Sequence, residues 1–324
     1  MRKLIVWFLI VAFAGSARAV VTGSTDDAMT VGGGARPIGM GRAFTAIVDD
    51  VDAMFINPAG NAGLKGPAGM TMYTNLLGEV YYSEFCGAIP TANGTFGLGY
   101  ITTGVNGIPT TPIPTDYYDS LLMASYSVPL ANFFRYAKNV FVGLNYKLFN
   151  RGYTGGISSY ESGMSADFGL KFIVNPNLSF GLCRQNFLPV SMGGVLRVNG
   201  GDEESLASLT KVGMAIKPIV QPKLLIALDA DLPAQTGRPP TGHFGLEWKE
   251  NDFISVRGGF DQSIDAGNAA KTSWNPTFGT SFGYYGFRVD YAYHPYYNNP
   301  SLATTYVSIS YTGEPLYALR GKVE

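Results

Sequence analysis

From Gly69 onward the chain alternates apolar and polar residues in segments of about ten. "LLIALDAD" (224–231) puts Leu224, Ile226, Leu228 and Ala230 on one face and Leu225, Ala227, Asp229 and Asp231 on the other. "GMSADFGLKFIV" (163–174) sets Met164, Ala166, Phe168, Leu170 and Phe172 against Asp167 and Lys171. "ISVRGGFD" (254–261) and "FRVDYAYH" (287–294) repeat the pattern, with Arg257, Asp261, Arg288, Asp290 and His294 on the polar side. Successive side chains of a strand point to opposite faces, so a period of two predicts strands with one greasy and one wet side. About fourteen are expected, near 68–77, 80–89, 94–104, 119–128, 139–149, 160–174, 177–186, 209–217, 222–231, 242–249, 252–261, 276–283, 286–294 and 303–311.

The connections decide what kind of sheet this is. Tight joints such as "NPN" (175–177), "PIVQP" (218–222), "KEND" (249–252) and "YYG" (284–286) alternate with long ones at 104–118, 187–205 and 261–274. Short turns on one rim and long loops on the other predict a transmembrane antiparallel β-barrel of the outer-membrane kind. In hydrocarbon each unpaired backbone group costs several kcal/mol, so such a sheet must close on itself. The apolar faces then meet lipid. Lys147, Asp167, Lys171, Lys211, Asp229, Asp231, Glu247, Arg257, Asp261, Arg288 and Asp290 line the lumen, where opposite charges pair with each other. One joint is out of pattern: "PLANFFRYAKN" (129–139) is long for the short-turn rim.

Composition supports this reading. Only 15% of residues are charged while 46% are hydrophobic, with 41 Gly, 20 Tyr and 20 Phe. A soluble domain carries about 25% charge, yet past the N-terminus no stretch has the roughly 18 apolar residues of a membrane helix. At the N-terminus Arg2 and Lys3 precede an apolar run from Leu4 to Ala14, and Ala17-Arg18-Ala19 offers a cleavage site, so residues 1–19 are expected to be a cleaved signal peptide. Removing Arg2, Lys3 and Arg18 from 23 basic residues leaves 20 against 24 acidic ones, a net charge of −4. That excludes the clustered basic face of a nucleic-acid binder. Cys86 and Cys183 fall on about the second and seventh strands, and strands lie about 4.8 Å apart along the wall. A disulfide needs Cα atoms within about 7 Å, so no bridge is expected.

The stretch 39–60, "GMGRAFTAIVDDVDAMFINPAG", carries the most suggestive chemistry. It is not a dinucleotide fingerprint, because Phe44 occupies the third glycine position and no buried strand precedes it. Nor is it a calcium loop, since Asp49, Asp50 and Asp52 lack the alternating ligand spacing. "GTSFG" (279–283) mimics a nucleophile elbow inside a strand with no helix following, and "SLTK" (208–211) has no companion motif. His243 and His294 are the only histidines and fall on separate strands. No enzyme, cofactor or metal site is expected. Ala43, Phe44, Ile47 and Val48 repeat at helical spacing, and Asn57-Pro58 reads as a turn, which suggests a short amphipathic helix ahead of the barrel.

"GARPIGMGRAF" (34–44), "VDDVDA" (48–53) and "NPAG" (57–60) resemble the N-terminal signature of the PorV/PorQ family, part of the wider group of FadL-type outer-membrane transporters. "LSFGLCRQNF" (178–187), "LIALDADLP" (225–233), "FRVDYAYHP" (287–295) and "TTYVSISY" (304–311) extend the similarity along most of the chain. The chain departs from the family pattern by running thirteen residues past Tyr311. The resemblance implies a fourteen-stranded barrel over 67–312, a plug or hatch over 20–66 and a tail over 313–324. Gly39, Gly41, Phe44, Asn57, Pro58, Ala59 and Gly60 would form the plug and gate. It also implies residence in the bacterial outer membrane among its lipids. Three functions follow: passing or holding hydrophobic small molecules, receiving exported proteins within type IX secretion machinery, or a structural role.

Overall fold

The computed structural model describes residues 24–25, 31–76, 78–199, 201–235, 237–265, 268–296, 300 and 303–315. The signal-peptide expectation (1–19), nearly all of 20–30 and the tail beyond 315 lie outside the described residues. Fourteen antiparallel strands form the wall. They are β1 (Ala68–Leu76), β2 (Val80–Thr91), β3 (Gly94–Ile108), β4 (Thr115–Pro129) and β5 (Val140–Gly155). After these come β6 (Ser159–Asn175), β7 (Leu178–Gln185), β8 (Leu209–Ile216), β9 (Leu224–Pro233) and β10 (Thr241–Lys249). The last four are β11 (Ile254–Asp265), β12 (Asn268–Tyr284), β13 (Phe287–His294) and β14 (Thr304–Thr312). Each pairs with its sequence neighbour, and β14 closes on β1 through Val307↔Tyr73 to Thr312↔Ala68. Closure leaves the wall without an edge, as a lipid solvent requires.

The expected strand set is present, but several strands run longer than the pattern suggested. The joint expected at 104–118 shrinks to 109–114, and that at 261–274 to 266–267. The flanks keep pairing past the expected ends: Val105 faces Tyr117, and Ile264 faces Thr272. A membrane crossing takes about 9–11 residues, so the 15- to 17-residue strands β3–β6 and β12 project well past it. The connection 187–205 is not a plain loop either. It holds a hairpin, Val195–Val198 against Asp202–Leu206, whose first strand adds to the upper end of β6 at Glu161–Gly163.

The chain enters β1 and leaves β14 at the rim that carries joints 92–93, 130–139, 176–177, 217–223, 250–253 and 285–286. We call this the turn rim and its opposite the loop rim. Ser24–Thr25 lies parallel to Ser205–Leu206 of the loop-rim hairpin, and Leu64–Pro67 lead into β1 at the turn rim. Residues 31–66 run between them, inside the wall, and most are buried. They form α1 (Ala35–Gly39), α2 (Ala53–Ile56) and a 3₁₀ turn (Pro58–Gly63).

The helix expected over 43–48 does not form. Gly41, Arg42 and Val48 take positive φ, and the amides of Phe44 and Thr45 donate to the Asp229 carboxylate at 2.9 and 2.7 Å instead of entering a helical ladder. A wall side chain outcompetes the local periodicity.

The lumen also differs from the expected polar interior, because it has two unlike halves. From β1 to β5 the inward residues include Met70, Met72, Tyr82, Ile101, Leu121, Met123 and Phe149, all buried in one apolar cluster, with Glu84, Asp119, Asn145, Lys147 and Arg151 buried beside it. Val51, Met54 and Phe55 of the inner segment and Leu196 and Leu206 of the hairpin complete that cluster. From β8 to β13 the inward residues are mostly charged or polar. Cys86 (β2) and Cys183 (β7) are buried free thiols on the two strands expected.

Candidate functional site: the occupied lumen

The wall accommodates the inner segment by leaving out side chains. A Cβ on Gly41 would stand 2.6 Å from Phe244 O and from Phe260 N, and φ is +60° there, so only glycine fits. Facing it, a Cβ on Gly259 would stand 2.6 Å from Gly41 N, and one on Gly245 would stand 2.5 Å from Met40 O. Gly39 packs on Gly279; Gly143 and Gly169 receive Pro58 and Asn57; Gly181 and Gly213 receive Thr45. Inward-facing glycines therefore follow the segment around much of the barrel, which accounts for part of the high glycine content.

Wall side chains then satisfy the segment's backbone, which has little secondary structure of its own. Besides Asp229, Lys171 Nζ donates to Ile47 O at 2.5 Å and Val48 O at 3.3 Å. Asn145 donates to Met54 O (2.7 Å), Gln185 to Phe55 O (3.1 Å) and Thr277 to Gly39 O (3.2 Å). Asn57 works from the segment side. Its Nδ2 donates to Thr45 O at 2.9 Å and to Leu170 O of β6 at 3.0 Å, and its Oδ1 accepts from Ala59 N at 3.2 Å. Gly60 packs against Val48, and Phe44 lies under the Arg36 guanidinium at 5.0 Å.

Toward the turn rim the segment is held by an ion ladder. Arg36 makes a two-pronged contact with Glu247 (Nε–Oε2 2.9 Å, Nη2–Oε1 2.8 Å) and also reaches Asp49 at 2.5 Å and Asp50 at 2.8 Å. Arg288 joins Asp50 (2.8 Å) to Asp290 (2.7 Å). Arg257 joins Asp290 (3.0 Å) to Glu247 (2.5 Å) and touches Ser281. Burial alone would raise the Asp50 carboxyl, but Arg36 and Arg288 outweigh it and hold the group well below the usual carboxylate range. Its neighbour Asp52 is pushed well up, by burial and then by the Asp50 charge. The two acids thus share one charge and one proton.

Toward the loop rim a second cluster gathers on Asp261. His243 Nδ1 lies 2.9 Å from one carboxylate oxygen, and His294 Nε2 lies 2.8 Å from the other. Arg42 of the segment stands 3.8 Å away. Asp231 lies 3.5 Å from His243 and accepts from Lys211 at 2.6 Å. A third pair, Lys147–Asp167, is fully buried at 2.8 Å.

The eleven residues expected in the lumen meet the inner segment or one another, Glu247 through Arg36 and Lys211 through Asp231. Lys171, Asp229 and Arg288 touch the inner segment directly; Arg257, Asp290 and Asp261 act within the clusters that hold it; Asp231 supports His243; Lys147 and Asp167 pair with each other. The segment's own charges, Arg36, Arg42 and Asp50, were missed by the strand pattern, as was the meeting of both histidines on one carboxylate. Neither enzyme-like motif pairs its serine with a histidine among the described residues. Ser281 of "GTSFG" is bound between Arg257 and Asp290, and Ser208 of "SLTK" donates to Gln185 O at 3.3 Å while Lys211 pairs with Asp231. Among the described residues no group of three His, Cys, Asp or Glu is placed to hold a metal.

Space remains at both ends of the lumen. A cavity of ≈ 230 Å³ opens toward the loop rim, bounded by Phe55 and Ile56 of the segment and by Lys211, Asp231, His243 and Gln262 of the wall. Another, of ≈ 440 Å³, opens toward the turn rim between Arg36, Asp49, Glu247, Arg257 and Arg288. No family model matches the sequence, and no curated protein matches it either. Solved structures with a similar fold include the Pseudomonas putida toluene transporter TodX, 12% identical with a TM-score of 0.56 over 90% of this chain and 98% of that one. A Pseudomonas aeruginosa FadL homologue is 10% identical with a TM-score of 0.59 over 90% and 99%. The monoaromatic hydrocarbon channel CymD is 11% identical with a TM-score of 0.59 over 88% and 98%. The chain shares the barrel fold of these three proteins.

Proposed function

We propose that the chain is an outer-membrane barrel that passes or holds hydrophobic small molecules, with residues 31–66 as a plug. One observation carries the reading: the inner segment lies between the loop-rim and turn-rim cavities, with Phe55 and Ile56 bounding one and Arg36 and Asp49 the other. The apolar cluster of β1–β5, buried against Val51, Met54 and Phe55, would offer the greasy surface such a passenger needs where the segment gives way. Transport of hydrocarbons by barrels of similar fold supports the choice of passenger.

The test is deletion of residues 32–64. Neighbouring strands and the β14–β1 closure satisfy the wall's backbone, so the deletion should still insert and shift on an unheated gel. Single-channel recording should then show far higher ion conductance than in the intact chain. An intact chain that already conducts as an open pore, unchanged by the deletion, would reject the plug. The alternative of a type IX secretion partner rests on the PorV/PorQ resemblance alone. Mild-detergent purification with mass spectrometry separates the two, since co-purifying exported proteins without bound lipid or hydrocarbon would favour secretion.

A further inference from the structure

The joint 130–139 is the longest on the turn rim, and no part of it enters the lumen network described above. Its backbone is held by its own turns: Phe133 N and Phe134 N donate to Leu130 O at 3.1 and 2.9 Å, and Ala137 N donates to Phe134 O at 2.8 Å. That folded backbone holds Phe133, Phe134 and Tyr136 outward at 65%, 63% and 95% exposure. Two joints further along the same rim, Ile219 and Val220 stand 84% and 93% exposed. Apolar side chains displayed in this way mark a contact surface.

Charge indicates what the surface contacts. Arg135, Lys138 and Lys217 belong to this sector, and none is ion-paired among the described residues, while Lys223 pairs with Glu250. Residues 130–139, 176–177 and 217–223, three successive joints, contain no Asp or Glu. The neighbouring joint 250–253 carries both Glu250 and Asp252. The sector also continues the lipid-facing wall, where Leu144, Phe172, Val174 and Phe180 point outward. We propose that this sector of the turn rim is a lipid-surface anchor. Phe133, Phe134, Tyr136, Ile219 and Val220 enter the boundary between headgroups and acyl chains, and Arg135, Lys138 and Lys217 hold anionic phospholipid headgroups. Aromatic side chains favour that boundary, and a basic residue near an anionic surface contributes about 1 kcal/mol. The inference is independent of what the lumen carries.

The full chain, reconstituted in phosphatidylcholine vesicles with and without phosphatidylglycerol, provides the test. A Phe134→Trp variant, with the parent's own tryptophan signal subtracted, should be quenched by brominated lipid and shielded from aqueous iodide. Selective retention of phosphatidylglycerol, read by native mass spectrometry, should fall about fivefold for each charge removed in Arg135→Gln, Lys138→Gln and Lys217→Gln. Unheated gel migration confirms that each variant is folded. Quenching by iodide and not by lipid would overturn the proposal and turn the joint into a surface for a periplasmic protein. Lipid quenching with no phosphatidylglycerol preference in the parent would overturn the headgroup assignment.

Discussion

The two halves of the lumen hold the same inner segment by opposite means. On the β1–β5 side, Met70, Met72, Ile101, Leu121, Met123 and Phe149 meet Val51, Met54 and Phe55 through close packing. On the β8–β13 side, Asp229, Glu247, Arg257, Asp261 and Asp290 each have a named polar partner, and several partners belong to the segment. Apolar packing has no preferred orientation, so it fills space without fixing register. Ion pairs and charge-assisted hydrogen bonds fix position within tenths of an ångström. A hydrophobic passenger that displaced Met54 or Leu196 would exchange one greasy contact for another. The charged half offers no such exchange, and there the segment stays anchored.

The seam between the halves gives the largest expected effect. Lys147 and Asp167 have no solvent exposure, so Lys147→Met leaves the Asp167 carboxylate without its counter-charge, held by Asn145 Nδ2 and Asn186 N. Breaking a buried pair from one side costs about 3–5 kcal/mol, readable by guanidinium unfolding in detergent. A loss well under that range would mean that water reaches the seam, and the contrast between a dry and a polar half would weaken.

In the apolar half, Met123→Ala should cost about 2–5 kcal/mol through lost contacts and the cavity left behind. A small aromatic such as toluene should restore part of the loss by filling that space. The neighbouring Leu122 faces outward at 48% exposure, and its replacement by Ala should cost much less and respond to no ligand. Equal responses at both positions would deny that the β1–β5 lumen is the greasy site.

These contrasts also mark how far the sequence could be read. Strands were legible wherever one face is apolar and the other charged, as in β9, β11 and β13. In the apolar half the strands were legible but their inward face was not, because "SLLMAS" (120–125) places Leu121, Leu122 and Met123 on alternate faces with no polar marker to say which side is inside. Strand ends at 108, 115 and 265 were missed because alternation and pairing continue beyond the membrane. The course of residues 41–48 was hidden because Asp229 and Lys171, more than a hundred residues away, take the backbone groups that local periodicity assigned to a helix. The lumen charges were legible as a set. Their pairings were not, since His294 reaches Asp261 across the intervening β12.

Adjacent glycines sharpen the comparison at the level of fit. A Cβ on Gly259 meets Gly41 N and Met40 C at 2.6 Å, whereas one on Gly258 finds nothing nearer than Thr277 O at 3.8 Å. Gly259→Ala should therefore displace the segment, cost about 1–3 kcal/mol through overpacking and raise ion leakage. Gly258→Ala should stay within about 0.5 kcal/mol with leakage unchanged. Leakage from both variants alike would show that the glycine track is not what fits the segment to the wall.

The smallest effect concerns the shared proton of Asp50 and Asp52. Asp52 keeps its proton in the folded chain well above the usual carboxylate range, because burial and the Asp50 charge oppose ionisation. The unfolded chain releases that proton near pH 4. The folded state then binds more protons than the unfolded one, so the stability contributed by Asp52 is full below about pH 4 and declines as pH rises toward the folded value. Asp50 has the opposite sign: Arg36 and Arg288 lower it against the pull of burial, so its contribution is present above about pH 4 and is lost as pH falls below. Asp52→Asn keeps the shape and removes the titration. Unfolding midpoints between pH 5 and 8 should fall less steeply with pH in this variant than in the parent, by at most about 1.4 kcal/mol per pH unit. The acid-side loss should remain, because Asp50 and its two arginines are untouched. An unchanged slope in Asp52→Asn would place the shared proton elsewhere, and Glu84, buried beside Gly34 N at 3.4 Å in the apolar half, would be the next carboxyl to replace.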